Sequence, residues 1–187
     1  ILMDDPAIEE VWINSPTRIF VAKNGVSELT NISMKSEDVS NLVERLIKDN
    51  HDVIVIDNES AECHDKFHWN KQSANYVLDI CDYNDIAPLF TNVDYVFHLA
   101  AEARIQPSLI NPFLTTKTNV LGTLNVLQAA RTAGVKRVIY SSTSSAYGRK
   151  HKVPYKEDMA PDCLTPYSVS KVTGEEYCKL YTRLFGL

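Results

Sequence analysis

Tyr167 and Lys171 are the two residues whose types and spacing most directly suggest chemistry. They begin and end the segment YSVSK at 167–171, so on a helix they lie on one face, a turn apart. A neighbouring ammonium group favours the ionised form of a phenol, whose pKa is otherwise near ~10. Such a phenolate removes the proton of an alcohol while hydride leaves the same carbon. The same spacing also occurs by chance on exposed helices, so the pair alone leaves both interpretations open.

A run of hydroxyl side chains follows a predicted buried strand at 137–140. The run reads SSTSS at 141–145. Open α/β sheets bind their ligands at the carboxyl ends of the strands, so a hydroxyl of Ser142, Thr143 or Ser144 is well placed to hydrogen-bond a substrate oxygen. A polar turn without a ligand is the alternative.

The segment HLAA at 98–101 ends another predicted strand, at 95–98. Its small residues allow a cofactor to approach the backbone closely. His98 itself is expected to be a core histidine with satisfied hydrogen bonds rather than a group that transfers protons.

Two acidic residues follow predicted strands in the same way. Asp57 comes directly after the apolar run at 53–56, where an acidic residue accepts hydrogen bonds from the adenosine ribose of a dinucleotide. Asp79 follows the short strand at 76–78 and suggests a contact on the adenine side. For both residues, a carboxylate in an ordinary turn is the alternative.

These strand ends meet only if the strands form one parallel sheet. Helical and extended patterns alternate from about Ser40 onward, and Pro112 and Gly134 mark the start and end of a long helix. The predicted order is helix 40–50, strand 53–56, loop 58–75, strand 76–78, helix 83–90, strand 95–98, helix 112–133, strand 137–140 and helix 166–185. This alternation predicts an α/β fold with a doubly wound, Rossmann-like parallel sheet.

Residues 1–39 follow a different pattern. They contain two short predicted strands, at 11–14 and 18–22, with turn signals at 15–17 and 24–25. We expect a short β-rich segment there, a boundary between residues 39 and 40, and an incomplete Rossmann-like domain at 40–187.

The composition excludes several other classes. Of the 187 residues, 44% are hydrophobic and 23% charged, as in ordinary globular proteins. The net charge of -5 and the absence of basic runs argue against nucleic acid. No apolar stretch reaches the ~18 residues of a membrane span, and acidic residues stand where a signal peptide is basic, so we expect a cytoplasmic protein without a membrane partner. The four cysteines lack metal-site spacing, so no metal is expected.

Taken together, the motifs resemble the NAD-dependent epimerase/dehydratase family, the extended short-chain dehydrogenases, over about residues 40–187. The matching segments are VIVIDN at 53–58, LDI at 78–80, VFHLAAEARIQPS at 96–108, TNVLGTLNVLQAA at 118–130, KRVIYSSTSSAYG at 136–148 and PYSVSK at 166–171. The segments HLAAEARIQPS and SSTSSAYG look most like the branch of UDP-glucose and UDP-N-acetylglucosamine 4-epimerases.

The resemblance implies a role for each candidate residue. Thr143 aligns with the catalytic Ser/Thr, and Ser142 and Ser144 are the near alternatives for that role. All three are implied to contact the substrate. Tyr167 aligns with the base that meets the substrate, and Lys171 with its partner; both also border the nicotinamide ribose. The other implied NAD contacts are Asp57 and Asn58 at the adenosine ribose, Asp79 and Ile80 at the adenine, and Leu99, Ala100 and Ala101 along the cofactor. Asn119 resembles the family's structural Asn.

The implied reaction is the 4-epimerisation of a nucleotide sugar. Tyr167 takes the 4-hydroxyl proton while hydride passes to NAD, the 4-keto sugar turns over in the site, and hydride returns to its other face. Ser142 and Ser144 favour an epimerase, because dehydratases usually carry acidic residues beside the Thr; a dehydratase or reductase is the runner-up. The resemblance also implies a homodimer through helices 112–133 and 166–185.

The chain departs from the family at the phosphate-binding loop. The family carries a GxxGxxG turn before the helix that begins here near Ser40, and those glycines hold the pyrophosphate at the helix N-terminus. The corresponding segment, NISMKSEDV at 31–39, has no glycine, and the family's substrate-binding part lies beyond Leu187. We therefore expect weak NAD binding and little turnover. A non-catalytic fragment or dimerisation module is the second hypothesis.

The N-terminal segment resembles a different family. MDDPAIEEVWINSPTRIFVAKNGVSELT at 3–30 is similar to the start of the N-terminal domain of pilus-assembly and secretion ATPases. No GxxxxGK[ST] motif is present to support ATP hydrolysis. This resemblance implies a secretion-ATPase accessory segment, the third hypothesis, or a chimeric chain joined near residues 38–45.

Overall fold

The computed structural model describes residues 8–15, 18–23, 26–29, 38–60, 69–152 and 154–187. The chain divides into two compact units, Ile1–Val53 with Asn70–Ser73, and Ile54–Trp69 with Ala74–Leu187. The domain boundary expected between residues 39 and 40 stays a prediction.

The first unit contains an antiparallel meander and one helix. Strands β1 (Ile8–Ser15), β2 (Arg18–Lys23) and β3 (Val26–Leu29) pair in that order, and helix α1 spans Asp38–Lys48. The β-rich character expected for this segment is confirmed, and β3 is a strand that the sequence analysis did not predict. The predicted turn residues 16–17 and 24–25, and most of the segment 31–39, lie outside the described residues.

The second unit is built on parallel strands. β4 (Ile54–Asp57) pairs with β5 (Ala74–Val77), and β6 (Tyr95–His98) pairs with β7 (Arg137–Tyr140). β5 begins two residues earlier than predicted, because Ala74 and Asn75 continue the ladder opposite β4. Residues 74 and 75 therefore belong to a strand and not to the predicted loop at 58–75, of which residues 61–68 lie outside the described ranges.

Helices separate these strands. They are α2 (Tyr83–Ile86), a 3-10 turn (Ala87–Phe90), α3 (Ile105–Ile110), α4 (Pro112–Thr116), a π-helical segment (Lys117–Gly122), α5 (Thr123–Ala133), a second 3-10 turn (Ser144–Tyr147) and α6 (Pro166–Phe185). The predicted helix at 112–133 has the right extent, but its middle is π-helical, and α3 was not predicted. Across the described residues, no helix combines the length and the apolar character that crossing a membrane requires.

Local sequence signals explain where the two site-bearing helices begin and end. Thr165 accepts a hydrogen bond from the Ser168 amide at 3.2 Å and donates its own amide to the Ser168 hydroxyl at 3.1 Å, which forms a capping box before Pro166. Gly134 ends α5 in the left-handed region, at φ 73°, as predicted for a helix C-cap.

The α/β fold predicted from the sequence is confirmed, and its sheet is incomplete, as expected. Within the described residues no strand joins β4 to β6, and the strands that precede β4 pair with each other. Both parallel pairs pack against one apolar cluster from the helical layer, to which β4, β6 and β7 contribute Ile56, Val96 and Val138. The cluster consists of Ile80, Ile86, Phe90, Val126, Ala129, Ala130 and Val135.

Candidate active site

Helix α6 places Lys171 inside the fold, above the last residue of β7. Lys171 is only 3% exposed, and its Nζ lies 4.3 Å from the centroid of the Tyr140 ring, within the range of a cation–π contact. The Tyr140 hydroxyl donates to the Lys171 carbonyl oxygen at 3.3 Å. Gly174 lets the ring approach so closely, since a methyl group at that position would lie 2.6 Å from Tyr140 Cζ.

Burial and nearby groups have opposite effects on the pKa of Lys171. Burial lowers the pKa of Lys171 to about 8, against the opposing effects of Cys178 and Glu175. Burial also raises the pKa of the Cys178 thiol to about 11, so this thiol is neutral at pH 7. Lys171 therefore keeps an ammonium group at neutral pH and loses it within the mildly alkaline range.

Asn119 connects three parts of the chain. It is buried in the π-helical segment, accepts from the Glu102 amide at 2.7 Å, and donates to the Glu102 carbonyl oxygen at 3.2 Å and to Ser170 Oγ at 3.0 Å. Ser170 in turn donates to the Tyr167 carbonyl oxygen at 2.8 Å. The segment after β6 is thus tied to the first turns of α6, between Tyr167 and Lys171. The structural role implied for Asn119 agrees with these bonds.

His98 is a core histidine, which confirms the interpretation made from the sequence. Its Nε2 lies 2.8 Å from Thr123 Oγ1, and Thr123 donates its single hydroxyl proton to the Asn119 carbonyl oxygen at 2.7 Å. Nε2 must therefore be the donor, which fixes the tautomer. Burial, with a further contribution from the charge of Lys171, lowers the pKa of His98 to about 3, so the ring is neutral.

The three hydroxyl candidates after β7 differ in their surroundings. Thr143 Oγ1 accepts from the Ser145 amide at 3.2 Å and so begins the 3-10 turn. Ser142 donates its hydroxyl proton to Glu175 on α6, whereas Ser144 is exposed.

A cavity of about 110 Å³ opens beside Thr143. Two carboxylates, Glu157 and Glu175, line it, and the sequence analysis did not single out either one. Glu175 had one available signal, because it stands four residues after Lys171 and therefore on the same face of α6. The full lining is Thr143, Ala146, Tyr147, Glu157, Met159, Pro161, Glu175 and Lys179.

A second cavity, of about 170 Å³, lies at the carboxyl ends of β4 and β6. Most of the cofactor residues suggested by the sequence line it together: Asp57, Asn58, Ile80, Leu99, Ala100 and Ala101. Ile56, Ser60, Leu78, Glu102 and Thr118 complete the lining. The other three predicted cofactor residues, Asp79, Tyr167 and Lys171, do not line it.

The polar side chains at these strand ends also stabilise local turns. Asp57 Oδ1 accepts from the Glu59 amide at 2.7 Å, and Asn58 Oδ1 accepts from the Ser60 amide at 3.1 Å. Asp79 Oδ1 accepts from the Cys81 amide at 2.8 Å. Burial opposes ionisation of Asp79, but this hydrogen bond, with further help from Lys117, holds the pKa of the carboxyl group below its usual value. The turn interpretation of Asp57 and its position at the cavity are therefore compatible.

These residues fit one end of a dinucleotide. The Asp57 carboxylate is an acceptor suited to ribose hydroxyls, and Ala100 and Ala101 leave room along the backbone. The cavity of about 170 Å³ is smaller than the ~300–1,000 Å³ typical of ligand pockets, so it is too small to enclose a whole dinucleotide. Among the described residues, no group of His, Cys, Asp and Glu is arranged to hold a metal ion.

We expect Asn119→Asp to destabilise the fold by about 2–4 kcal/mol, because it removes two donors and buries a carboxylate against the Glu102 carbonyl oxygen. Urea unfolding of the whole chain measures the change. Asn84→Asp is the matched control, since it makes the same substitution at an exposed position of α2 and should alter the free energy of unfolding by no more than about 0.5 kcal/mol. Equal effects of the two substitutions would contradict the importance of the network.

Comparison with known proteins agrees with this architecture. The sequence profile of the NAD-dependent epimerase/dehydratase family matches residues 39–187. A putative UDP-glucose 4-epimerase of Methanocaldococcus jannaschii is 36% identical over 150 residues, which cover 79% of this chain and 48% of that protein.

Two solved structures show the same similarity. The UDP-glucose 4-epimerase of Thermotoga maritima, determined with UDP-glucose, is 35% identical with a TM-score of 0.73, and the match covers 79% of this chain and 48% of that one. The dTDP-glucose 4,6-dehydratase DesIV of Streptomyces venezuelae, determined with NAD, is 29% identical with a TM-score of 0.71 over 79% of this chain and 49% of that one.

The chain spans about half the length of the curated relatives it matches. The family match nevertheless covers residues 39–187. This range includes β4 to β7, α6 and the residues that line both cavities. The chain belongs to the NAD-dependent epimerase/dehydratase family.

Proposed function

We propose that residues 39–187 form the cofactor-binding and catalytic part of a nucleotide-sugar 4-epimerase that uses NAD. The chief support is the packing of α6, which carries Tyr167 and Lys171, against β7 and the 3-10 turn that Thr143 begins. Six of the cofactor candidates line a cavity at the neighbouring strand ends: Asp57, Asn58, Ile80, Leu99, Ala100 and Ala101.

The catalytic roles follow from the surroundings of each side chain. Tyr167, when ionised, accepts the proton of the sugar 4-hydroxyl and later returns it. Thr143 hydrogen-bonds the same oxygen; it is preferred because Ser142 is engaged by Glu175 and Thr143 lines the cavity. Lys171 provides an ammonium group one helical turn from Tyr167.

The remaining candidates serve the cofactor. NAD, when bound, supplies the hydride acceptor and donor that inversion at an alcohol carbon requires. Asp57 and Asn58 would hold the adenosine ribose, Asp79 and Ile80 the adenine, and Leu99, Ala100 and Ala101 the adjoining part of the cofactor. Tyr167 and Lys171 would border its nicotinamide ribose.

A nucleotide-sugar dehydratase is the second candidate. Two observations favour it: the carboxylates of Glu157 and Glu175 beside Thr143, and the similarity to DesIV. The epimerase remains preferred because Thr143 is flanked in the sequence by Ser142 and Ser144, neither of which is acidic. The products distinguish the two reactions, since dehydration removes one water from the sugar and epimerisation leaves its mass unchanged.

We expect NAD to bind weakly, with a dissociation constant on the order of 1 mM, because the sequence at 31–39 contains no glycine that could let the backbone hold the pyrophosphate. Saturation-transfer NMR of the adenine protons measures this binding. Asp57→Asn should weaken it roughly tenfold by removing a charged acceptor, whereas Asp52→Asn, in the exposed loop before β4, should not. NAD that stays bound through purification would contradict the expected weak binding. Equal NAD affinity of the two variants would contradict the assignment of Asp57.

We expect slow interconversion of UDP-glucose and UDP-galactose at millimolar NAD, well below the ~10 s⁻¹ of a median enzyme. Tyr167→Phe should lower the rate at least ~100-fold by removing the base, and Tyr177→Phe, elsewhere on α6, should leave it unchanged. Chromatography and mass spectrometry of the sugar nucleotides measure both. A product lighter by one water argues for the dehydratase, and no product despite NAD binding rules out the epimerase.

We also propose that α4, α5 and α6 pair the chain with a second copy. α4 packs against α6, and Ile110 and Phe113 beside this contact are 84% and 86% exposed. Apolar side chains so exposed on adjacent helices are typical of an interface. Further exposed apolar residues are Leu109 in α3, Leu114 in α4, Leu121 in the π-helical segment, and Val169, Leu180 and Leu184 in α6.

Sedimentation velocity tests this pairing. We expect the wild-type chain to sediment as a dimer and Phe113→Glu as a monomer, because the substitution places a charge inside the apolar contact. Val77→Glu, at an exposed position of β5, is the control and should remain dimeric. A monomeric wild-type chain would refute the proposal.

A further inference from the structure

Glu175 connects the two elements that carry the proposed catalytic residues. It lies on α6 one turn beyond Lys171, and its Oε1 accepts the hydroxyl proton of Ser142, in the segment after β7. It also lines the cavity of Thr143. A single carboxylate therefore joins the helix of Tyr167 to the segment of Thr143.

Glu175 also supplies negative charge to a largely neutral interior. The titratable groups that face Lys171 are His98 from β6, Tyr140 from β7, and Glu175 and Cys178 from α6. Burial lowers the pKa of His98 to about 3 and raises the pKa of Cys178 to about 11. Burial also raises the pKa of Tyr140 above its ordinary value, so these three groups are neutral at pH 7. Of these four neighbours of Lys171, Glu175 is the one that carries a carboxylate.

We propose that Glu175 is a positioning residue of the site: its carboxylate holds the Thr143 segment against α6 through Ser142 and acts as the counter-charge of Lys171. The catalytic consequence of this inference rests on the proposed epimerase function. Its structural part rests on the hydrogen bond from Ser142 to Glu175 and on the positions of Lys171 and Glu175 one turn apart on α6. In this scheme Glu175 does not touch the reacting atoms.

The two roles of Glu175 can be separated chemically. Glu175→Gln keeps an oxygen that accepts from Ser142 but leaves Lys171 without a counter-charge. Ser142→Ala removes the hydrogen bond and keeps the carboxylate. Glu176→Gln is the matched control, since it makes the same substitution at the adjacent exposed residue, whose carboxylate pairs with Lys179 at 2.7 Å.

The counter-charge role is tested by following the titration of Lys171 in the whole chain. Its side-chain nitrogen signal is observed by NMR after ¹⁵N-lysine labelling and identified as the signal lost in Lys171→Met. The expected wild-type midpoint follows from the pKa of about 8. Glu175→Gln should lower the midpoint by about one pH unit, while Ser142→Ala and Glu176→Gln should leave it unchanged. An unmoved midpoint in a folded Glu175→Gln variant overturns this role.

The anchoring role is tested by hydrogen exchange, which also applies if Glu175→Gln does not fold. The amides of Ser145 and Ala146 bond to Thr143, so Ser142→Ala should speed their exchange by about tenfold, and Glu176→Gln should not. Unchanged exchange in Ser142→Ala overturns the anchoring.

The outcome for Glu175 can be told apart from the outcome for the enzyme. If the wild-type chain interconverts the UDP-hexoses, Glu175→Gln should also move the alkaline fall of kcat to lower pH. If it does not, the proposed function fails, while a shifted Lys171 titration and faster exchange still support the placement of Glu175.

Discussion

The buried side-chain amide of Asn119 is the contact on which the arrangement of the site depends. Its three hydrogen bonds reach Glu102 and Ser170, which are distant in sequence. A buried amide without partners is costly, so the segment after β6 and the start of α6 are each held where these bonds form. Since Tyr167 and Lys171 flank Ser170, fixing Ser170 also fixes the helical face that carries the proposed chemistry.

Apolar packing performs the task that a continuous sheet performs elsewhere. Backbone hydrogen bonds hold β4 to β5 and β6 to β7, but within the described residues no ladder connects the two pairs. What they share is the apolar cluster under the helical layer, against which Ile56 and Val96 both pack. Hydrophobic contacts are less directional than hydrogen bonds. The positions of the proposed catalytic residues are therefore more closely defined than the position of one strand pair relative to the other.

The sequence predicted those elements that local signals define. The strands at 95–98 and 137–140 and the helix at 166–185 match the structure, because short apolar runs, a capping Thr and a proline at the first turn mark them. It did not predict the π-helical segment around Asn119, whose side chain bonds to Glu102 and Ser170, both distant in sequence. The contact of Lys171 with Tyr140 also joins residues distant in sequence, and for Glu175 the sequence offered only its position on the same helical face as Lys171.

The cofactor candidates were predictable as a set, because strand ends in a parallel fold converge at one edge. Their cavity is lined by Asp57, the last residue of β4, by Ile80, which follows β5, and by Leu99 to Ala101, which follow β6. A ligand in this cavity therefore touches both strand pairs at once. Because a ligand that binds only the folded arrangement stabilises it by mass action, NAD would strengthen the relation between the pairs that the backbone leaves to apolar packing. Part of the intrinsic binding free energy would then be used to fix the pairs, so the affinity for NAD would be lower than the contacts in the cavity alone would give.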